Sequence, residues 1–199
     1  VTVLGAGIIG VCCALHLQER GLSVTLVARL EPGEATSYGN AGVISPWSCI
    51  PQSMPGMWKS VPKWLLDPLG PVRAHINILP RLLPWSLAFF RNAQIDRLRA
   101  ISDTMAHLVS DNAMAYKELL KGTGQEALVR DSWNVSVFRG GAQPNLEDLA
   151  WKLRIERGAP VEVVRRGELK EIEPDLSDEY NSAVKFKDQA LAFNTRQIC

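Results

Sequence analysis

Six residues near the start of the chain, Gly-Ala-Gly-Ile-Ile-Gly at positions 5–10, constrain the fold more than any other feature. The apolar run 1–4 before them predicts a buried parallel strand. Apolar residues at helical spacing follow from Ile8 and predict a helix that ends near Arg20. The β-branched stretch 23–27 predicts a second strand. This order is that of a βαβ unit, so we expect an α/β fold with a Rossmann-like domain.

Each glycine of the motif has a physical role in binding a dinucleotide. Gly5 permits a tight turn, Gly7 lets the backbone approach a pyrophosphate, and Gly10 lets the helix pack closely on the strand. The helix N-terminus adds N–H groups and the positive end of the helix dipole. The motif in this context therefore predicts a dinucleotide site rather than a turn without a ligand.

The acidic residue that usually holds the ribose of such a ligand is missing. It is expected about 20 residues after the motif, at the end of the second strand, where this chain has Ala28. Three explanations stay open. Glu31 reaches back from the loop, other contacts suffice, or Arg29 marks a 2′-phosphate and therefore NADP.

Composition excludes several other classes of protein. Hydrophobic residues make up 46% and charged residues 22%, which excludes a disordered or collagen-like chain. The net charge of +1 offers no global attraction for nucleic acid. The four cysteines have neither zinc-site nor disulfide-framework spacing, so we expect no metal and a reducing, cytoplasmic compartment. We also expect no signal peptide and no membrane-spanning segment.

Further along, the pattern predicts a change of organisation after residue 46. The stretch 46–84 is rich in proline and tryptophan, and we expect no long regular helix there. One long helix is predicted over 92–120. Shorter elements are expected as strands at 133–138, 161–164, 183–186 and 191–193, and as helices at 146–157 and 167–172.

The segment 34–46, Glu-Ala-Thr-Ser-Tyr-Gly-Asn-Ala-Gly-Val-Ile-Ser-Pro, resembles the FAD-dependent D-amino-acid oxidase superfamily. The chain is most similar there to the bacterial D-amino-acid dehydrogenase (small-subunit) group, with its glycine-oxidase-like and hydroxyproline-dehydrogenase relatives. The resemblance continues through Leu-Pro-Trp at 83–85, Gly-Ala-Pro at 158–160 and Glu-Pro-Asp-Leu at 173–176, and covers nearly the whole chain.

The resemblance implies a flavoenzyme of which this chain is the N-terminal half. Residues 1–46 would form the N-terminal part of an incomplete Rossmann-like FAD-binding domain. Residues 47–199 would form connecting segments and the start of an α+β substrate domain, with the C-terminal half absent. The implied activity is oxidation of D-amino acids to imino and 2-oxo acids by hydride transfer to FAD. Family members place the substrate-binding residues mostly in the C-terminal half, so no catalytic residue is assigned.

The resemblance and the glycine motif together give one set of cofactor-binding candidates. They are expected along the pyrophosphate, the ribose and the flavin of FAD, and we expect no metal ligands. The candidates are Gly5, Ala6, Gly7, Ile8, Ile9, Gly10, Ala28, Arg29, Ser37, Asn40, Ala41 and Gly42.

Alternative functions stay open at this point. The substrate could be glycine or sarcosine, as in an oxidase, or hydroxyproline, as in a dehydrogenase. The enzyme could be an amino-acid oxidase that uses oxygen, or an NADP-linked reductase. The chain could also be a truncated, non-catalytic domain. Besides the small-molecule amino-acid substrate, a respiratory-chain electron acceptor at the inner membrane could be a second partner.

A membrane role is suggested by residues 59–91, which carry five basic residues and one acid among tryptophan, leucine and phenylalanine. Peripheral membrane contact competes there with packing inside the substrate domain. Packing is favoured, because the prolines are expected to break an amphipathic helix.

We predict that Gly7→Val abolishes FAD binding, because the added side chain would occupy the space of the pyrophosphate. The measurement is the visible absorbance of the purified, folded variant. Gly167→Val, which changes a glycine outside the motif, is the control and should keep the flavin spectrum. A folded Gly7→Val variant that stays yellow would contradict the assignment of the motif.

Overall fold

The computed structural model describes residues 1–73 and 75–199 and divides the chain into two compact units. Unit 1 comprises Val1–Pro46, Asp111–Ala142 and Pro160–Cys199, and unit 2 comprises Trp47–Ser110 and Gln143–Ala159. The chain first passes from one unit to the other after Pro46, where the sequence predicts a boundary. Two later segments belong with the first 46 residues. The designation of FAD-binding and substrate domains stays a prediction.

Unit 1 begins with the predicted βαβ arrangement. Strand β1 (Thr2–Leu4) is followed by helix α1 (Ile8–Glu19) and strand β2 (Thr25–Val27), and the two strands pair in parallel. The prediction of a buried strand is wrong for the residues described. Leu4 is 80% exposed, and every residue of β2 is exposed. This two-stranded sheet therefore presents apolar side chains to its surroundings.

A second sheet in unit 1 is antiparallel and is organised around one long strand. Its strands are β3 (Val43–Ile44), β4 (Val129–Arg139), β5 (Val161–Arg165) and β6 (Tyr180–Ala192). Strand β6 pairs with all three others. Strand β4 follows β6 along nearly its whole length, so β3 and β5 share the other edge of β6. The sequence predicts β6 as two separate extended pieces, but Asp188, with φ of 60°, lies inside one continuous strand.

The core of unit 1 lies against this antiparallel sheet in two clusters. One cluster contains Val164 and Ala183 of the sheet and Leu169 of helix α7 (Arg166–Ile172). The other contains four buried sheet residues, with partly buried side chains of helix α5 (Asn112–Leu120) packed on it. Its buried members are Ile44, Val129, Ala190 and Ala192.

Unit 2 is helical in the part of the chain that the structure describes. Its helices are α2 (Val61–Leu66), α3 (Leu79–Arg91), α4 (Ile95–Val109) and α6 (Leu149–Glu156), with short 3₁₀ turns before α2 and α3. Leu98 of α4 and Leu153 of α6 are fully buried. The Arg99 guanidinium lies 2.6 Å from the Glu156 carboxylate, so an ion pair joins the same two helices.

The single helix predicted over 92–120 is wrong. Helix α4 ends at Val109 and α5 begins at Asn112, and the two helices belong to different units. Asp111 leaves helical geometry with φ of −102° and ψ of 9°, and its carbonyl accepts the Ala115 N–H that starts the new helix. Asp and Asn have low helix propensity, so a break costs less at Asp111-Asn112 than it would among good helix formers.

The expectation of no long helix over 46–84 is also wrong at its end. Helix α3 runs from Leu79 to Arg91 with Pro80 in its first turn and Pro84 in its interior. Proline is tolerated in the first turn, where the backbone N–H has no helical partner. Pro84 removes one backbone hydrogen bond, but the helix continues for seven residues beyond it.

We predict that Gly42→Ala destabilises unit 1 far more than Gly122→Ala does. Both glycines have positive φ, 68° and 79°, so an alanine costs about 1–2 kcal/mol at either position. At Gly42, however, the new Cβ would lie 2.2 Å from the carbonyl oxygen of Ala192, whereas Gly122 has open space. Urea unfolding should show an additional loss of about 2 kcal/mol or more for Gly42→Ala. Equal losses for the two variants would contradict the close approach of Gly42 to β6.

Candidate functional site

The carboxyl ends of β1 and β2 open onto a cleft of about 500 Å³ in unit 1. Ligands of open α/β sheets bind at the carboxyl ends of the parallel strands, so this cleft is where the sequence motif predicts a ligand. Both strand ends and the loop that follows β2 contribute to it. The lining residues are Leu4, Gly5, Ala6, Gly7, Val27, Ala28, Arg29, Leu30, Glu31 and Ala35.

The glycine turn has the geometry that its sequence predicts. Gly5 has φ of +103°, and its N–H donates to the Val27 carbonyl at 2.7 Å, which ties the turn to the end of β2. A Cβ at Gly10 would lie 1.8 Å from the Gly5 carbonyl oxygen, so only glycine permits this approach of α1 to the turn. Gly5 and Gly7 present no side chain to the cleft. The turn and the start of α1 therefore fit the pyrophosphate of a dinucleotide.

Two polar side chains fix the loop after β2, and one of them, Ser37, ties it to the start of α1. The hydroxyl oxygen of Ser37 accepts the Ile8 N–H at 2.8 Å. The Asn40 side chain donates to the Ser37 carbonyl at 3.0 Å and accepts the Gly42 N–H at 2.8 Å. The first N–H of α1 is thus already bonded within the protein. Ser37 and Asn40 have a structural role in this loop, and their assignment as cofactor contacts stays a prediction.

A second, smaller cavity of about 190 Å³ lies in unit 1 beside Ser37, Asn40 and Gly42 of this loop. Four of the predicted residues line it, namely Ile8, Ser37, Asn40 and Gly42. The remaining lining residues come from distant parts of the chain. They are Val43, Ile44, Tyr116, Ala192, Thr195 and Ile198.

The structure therefore separates the predicted site residues into groups. Five line the cleft at the strand ends, and four line the second cavity. Ile9, Gly10 and Ala41 line neither of these two cavities. The sequence analysis missed Tyr116 and Thr195, because no local motif marks residues that only the sheet brings beside the loop.

Two ionisable side chains near α1, Tyr116 and Cys12, have raised pKa values, which favours their neutral forms. Burial raises the pKa of the Tyr116 phenol, and negative charge on Cys12 and Cys199 would raise it further. Burial is also the main cause that raises the pKa of the Cys12 thiol. A thiol with a raised pKa is less deprotonated near neutral pH, so Cys12 is less available as a nucleophile. Among the described residues, no cluster of three or more His, Cys, Asp or Glu could hold a metal ion.

Comparisons with known proteins give a consistent family. The model of the family described as FAD dependent oxidoreductase (DAO) matches residues 1–199. A D-amino-acid oxidase of Bradyrhizobium diazoefficiens is 34% identical over 189 residues, which cover 92% of this chain and 44% of that protein. A D-amino acid dehydrogenase of Phenylobacterium zucineum is 34% identical over 168 residues, covering 83% of this chain and 39% of that protein.

A solved structure shows the same fold. Glycine oxidase from Bacillus cereus superposes with a TM-score of 0.52 at 18% identity, covering 99% of this chain and 40% of that one. The chain therefore spans less than half the length of each of these three proteins. At this level of identity the structural likeness concerns the fold.

Proposed function

Since the chain belongs to the DAO family of FAD-dependent oxidoreductases, we propose that the whole protein oxidises D-amino acids to imino acids, which water converts to 2-oxo acids. The observation that carries this proposal is the 34% identity with two curated relatives whose names both specify D-amino acids. The D-amino-acid substrate predicted from the sequence is retained on this ground.

FAD, when bound, accepts the hydride from the carbon that carries the amino group. The residues of this chain would bind and orient FAD rather than transfer protons. The backbone of Gly5–Gly7 and the N-terminus of α1 would hold the pyrophosphate, since Gly5 and Gly7 present no side chain to the cleft. Burial raises the pKa of Tyr116, so its phenol would stay protonated and would add no charge at the second cavity.

The family match weakens two of the alternative functions and leaves the alternative substrates open. The family match supports FAD over the NADP suggested by Ala28 and Arg29. It also supports an enzyme rather than a non-catalytic domain. Glycine, sarcosine and hydroxyproline stay alternative substrates, because family membership does not distinguish among small amines. A cytoplasmic location stays a prediction from the cysteine usage.

We predict that the purified whole protein has a flavin absorbance spectrum that bleaches when a D-amino-acid mixture is added without oxygen. L-amino acids are the matched control and should leave the spectrum unchanged. A flavin spectrum that bleaches only with glycine, sarcosine or hydroxyproline would overturn the D-amino-acid assignment but keep the reaction. A protein that binds no flavin would overturn the function.

We also propose that unit 2 contacts an anionic membrane surface through α2 and α3. Apolar side chains lie on the outside of this region, where Leu66 is 84%, Leu69 is 93% and Trp85 is 62% exposed. Beside them an apolar groove of about 740 Å³ runs between α2 and α3. Helix α3 is continuous despite Pro84, so this proline does not prevent an amphipathic helix here.

Charge supports an anionic bilayer as the partner of this surface. Lys59, Lys63, Arg81 and Arg91 are all exposed around it, and Asp67 is the single acid over 59–91. Exposed tryptophan and leucine with a basic rim fit the boundary between lipid headgroups and acyl chains. None of the helices in the described part of the chain has the length and apolarity to cross a bilayer. Contact at the surface would place the enzyme beside an electron acceptor of the respiratory chain.

We predict that Lys63→Ser/Arg81→Ser weakens binding to vesicles of phosphatidylglycerol and phosphatidylcholine about 30-fold. Each basic residue near an anionic surface contributes about 1 kcal/mol. The control Arg20→Ser/Lys121→Ser removes two exposed basic residues of unit 1 and should bind like the unchanged protein. Co-sedimentation at several salt concentrations measures both. Equal binding by the two double variants would contradict the proposed surface.

A further inference from the structure

We propose that Glu31 supplies the carboxylate that holds the adenosine ribose of FAD, in place of the acid expected at position 28. This inference rests on the proposed function, because it takes FAD as the ligand of the cleft. Of the three explanations that the sequence leaves open for Ala28, it selects one. It assigns a role in cofactor affinity to a residue outside the glycine motif.

The first support is the position of Glu31 in the cleft. Glu31 and Gly5–Gly7 line the same cleft of about 500 Å³, into which β1 and β2 end. The residue at the end of β2, Ala28, has only a methyl group and leaves room beside it. A ligand with its pyrophosphate at the glycine turn has its ribose beside the end of the second strand. Glu31 is three residues beyond that point and still lines the cleft.

The second support is that the loop carrying Glu31 is fixed in place. The Gly33 N–H donates to the Ala6 carbonyl at 2.9 Å, which ties the loop to the glycine motif. The Glu34 N–H donates to the Glu31 carbonyl at 3.2 Å and closes a turn. A carboxylate on such a fixed loop loses little entropy when it binds.

The third support is that Glu31 is the acid of this loop that is available. The Glu34 carboxylate lies 2.5 Å from the Arg196 guanidinium and is therefore already paired. Neither Glu31 nor Arg29 has a side-chain hydrogen bond or ion pair with any residue that the structure describes. A carboxylate accepts hydrogen bonds from the two hydroxyls of a ribose, and charge-assisted bonds of this kind are strong.

Arg29 lines the same cleft and could instead receive a 2′-phosphate. The Glu31 carboxylate disfavours that ligand, because it would repel a phosphate dianion in the same cleft. A ribose with free hydroxyls suits the pair better. The carboxylate accepts the hydroxyl protons, and Arg29 remains free to face the pyrophosphate charge.

The experiment compares FAD affinity of Glu31→Gln with that of the unchanged protein. FAD is titrated into flavin-free protein, and binding is followed by the quenching of flavin fluorescence. We expect a dissociation constant about 10-fold to 100-fold higher for Glu31→Gln, since a charged hydrogen-bond acceptor is lost. Glu19→Gln removes the same charge from the exposed surface of α1 and is the control. Urea unfolding verifies that each variant folds.

Two further measurements separate ribose binding from a general effect of charge. Calorimetry with ADP and 2′-deoxy-ADP should show a preference for ADP in the unchanged protein, and Glu31→Gln should lose that preference. The double variant Ala28→Glu/Glu31→Gln should recover FAD affinity, because it restores an acid at the expected place.

Unchanged FAD affinity in a folded Glu31→Gln variant would overturn the inference while leaving the proposed function intact. Loss of FAD affinity in Arg29→Gln without any loss in Glu31→Gln would likewise overturn it. If the unchanged protein binds no FAD, both the proposed function and this inference fail.

Discussion

The contact between α1 and the turn at Gly5 is the constraint on which the cleft depends. Without a Cβ at Gly10, the helix lies against the Gly5 carbonyl, and without a Cβ at Gly5 the turn adopts positive φ. These two absences bring the N-terminus of α1 to the carboxyl ends of the strands. The backbone N–H groups, the dipole of the helix and the loop after β2 then meet at one place. Small residues thus determine the position of the site, and polar side chains fix the loops around it.

A second dependence links the cleft to the antiparallel sheet. Ser37 holds the loop after β2 against α1, and Asn40 bonds within that loop. Gly42 carries the loop to β3, which pairs with β6. The same part of the chain thus contacts the glycine motif at one end and the centre of the other sheet at its other end. Tyr116 reaches the second cavity only because α5 packs on that sheet. The loop geometry is therefore set by elements that are far apart in the sequence.

Local patterns predicted the elements whose determinants are local. The βαβ unit, with its glycines and β-branched strand, is as predicted, and so are the cores of β4, β5 and α7. The break at Asp111 was missed because the apolar spacing of α4 and α5 continues across it. Helix α3 was missed because proline propensity was given more weight than its apolar face. Glu31 was recognised as a candidate, but only the structure distinguishes it from Glu34, since the pairing with Arg196 spans most of the chain.

The central position of β6 has a consequence for how the protein is made. Strands β3, β4 and β5 leave the ribosome before the strand that pairs with all of them. At ordinary synthesis rates, on the order of ten seconds separate the emergence of β3 from that of β6. During that interval the edge of β4 and the apolar face beneath it have no partner, and they are exposed to aggregation. The sheet therefore closes late, and non-local pairing of this kind makes folding slow.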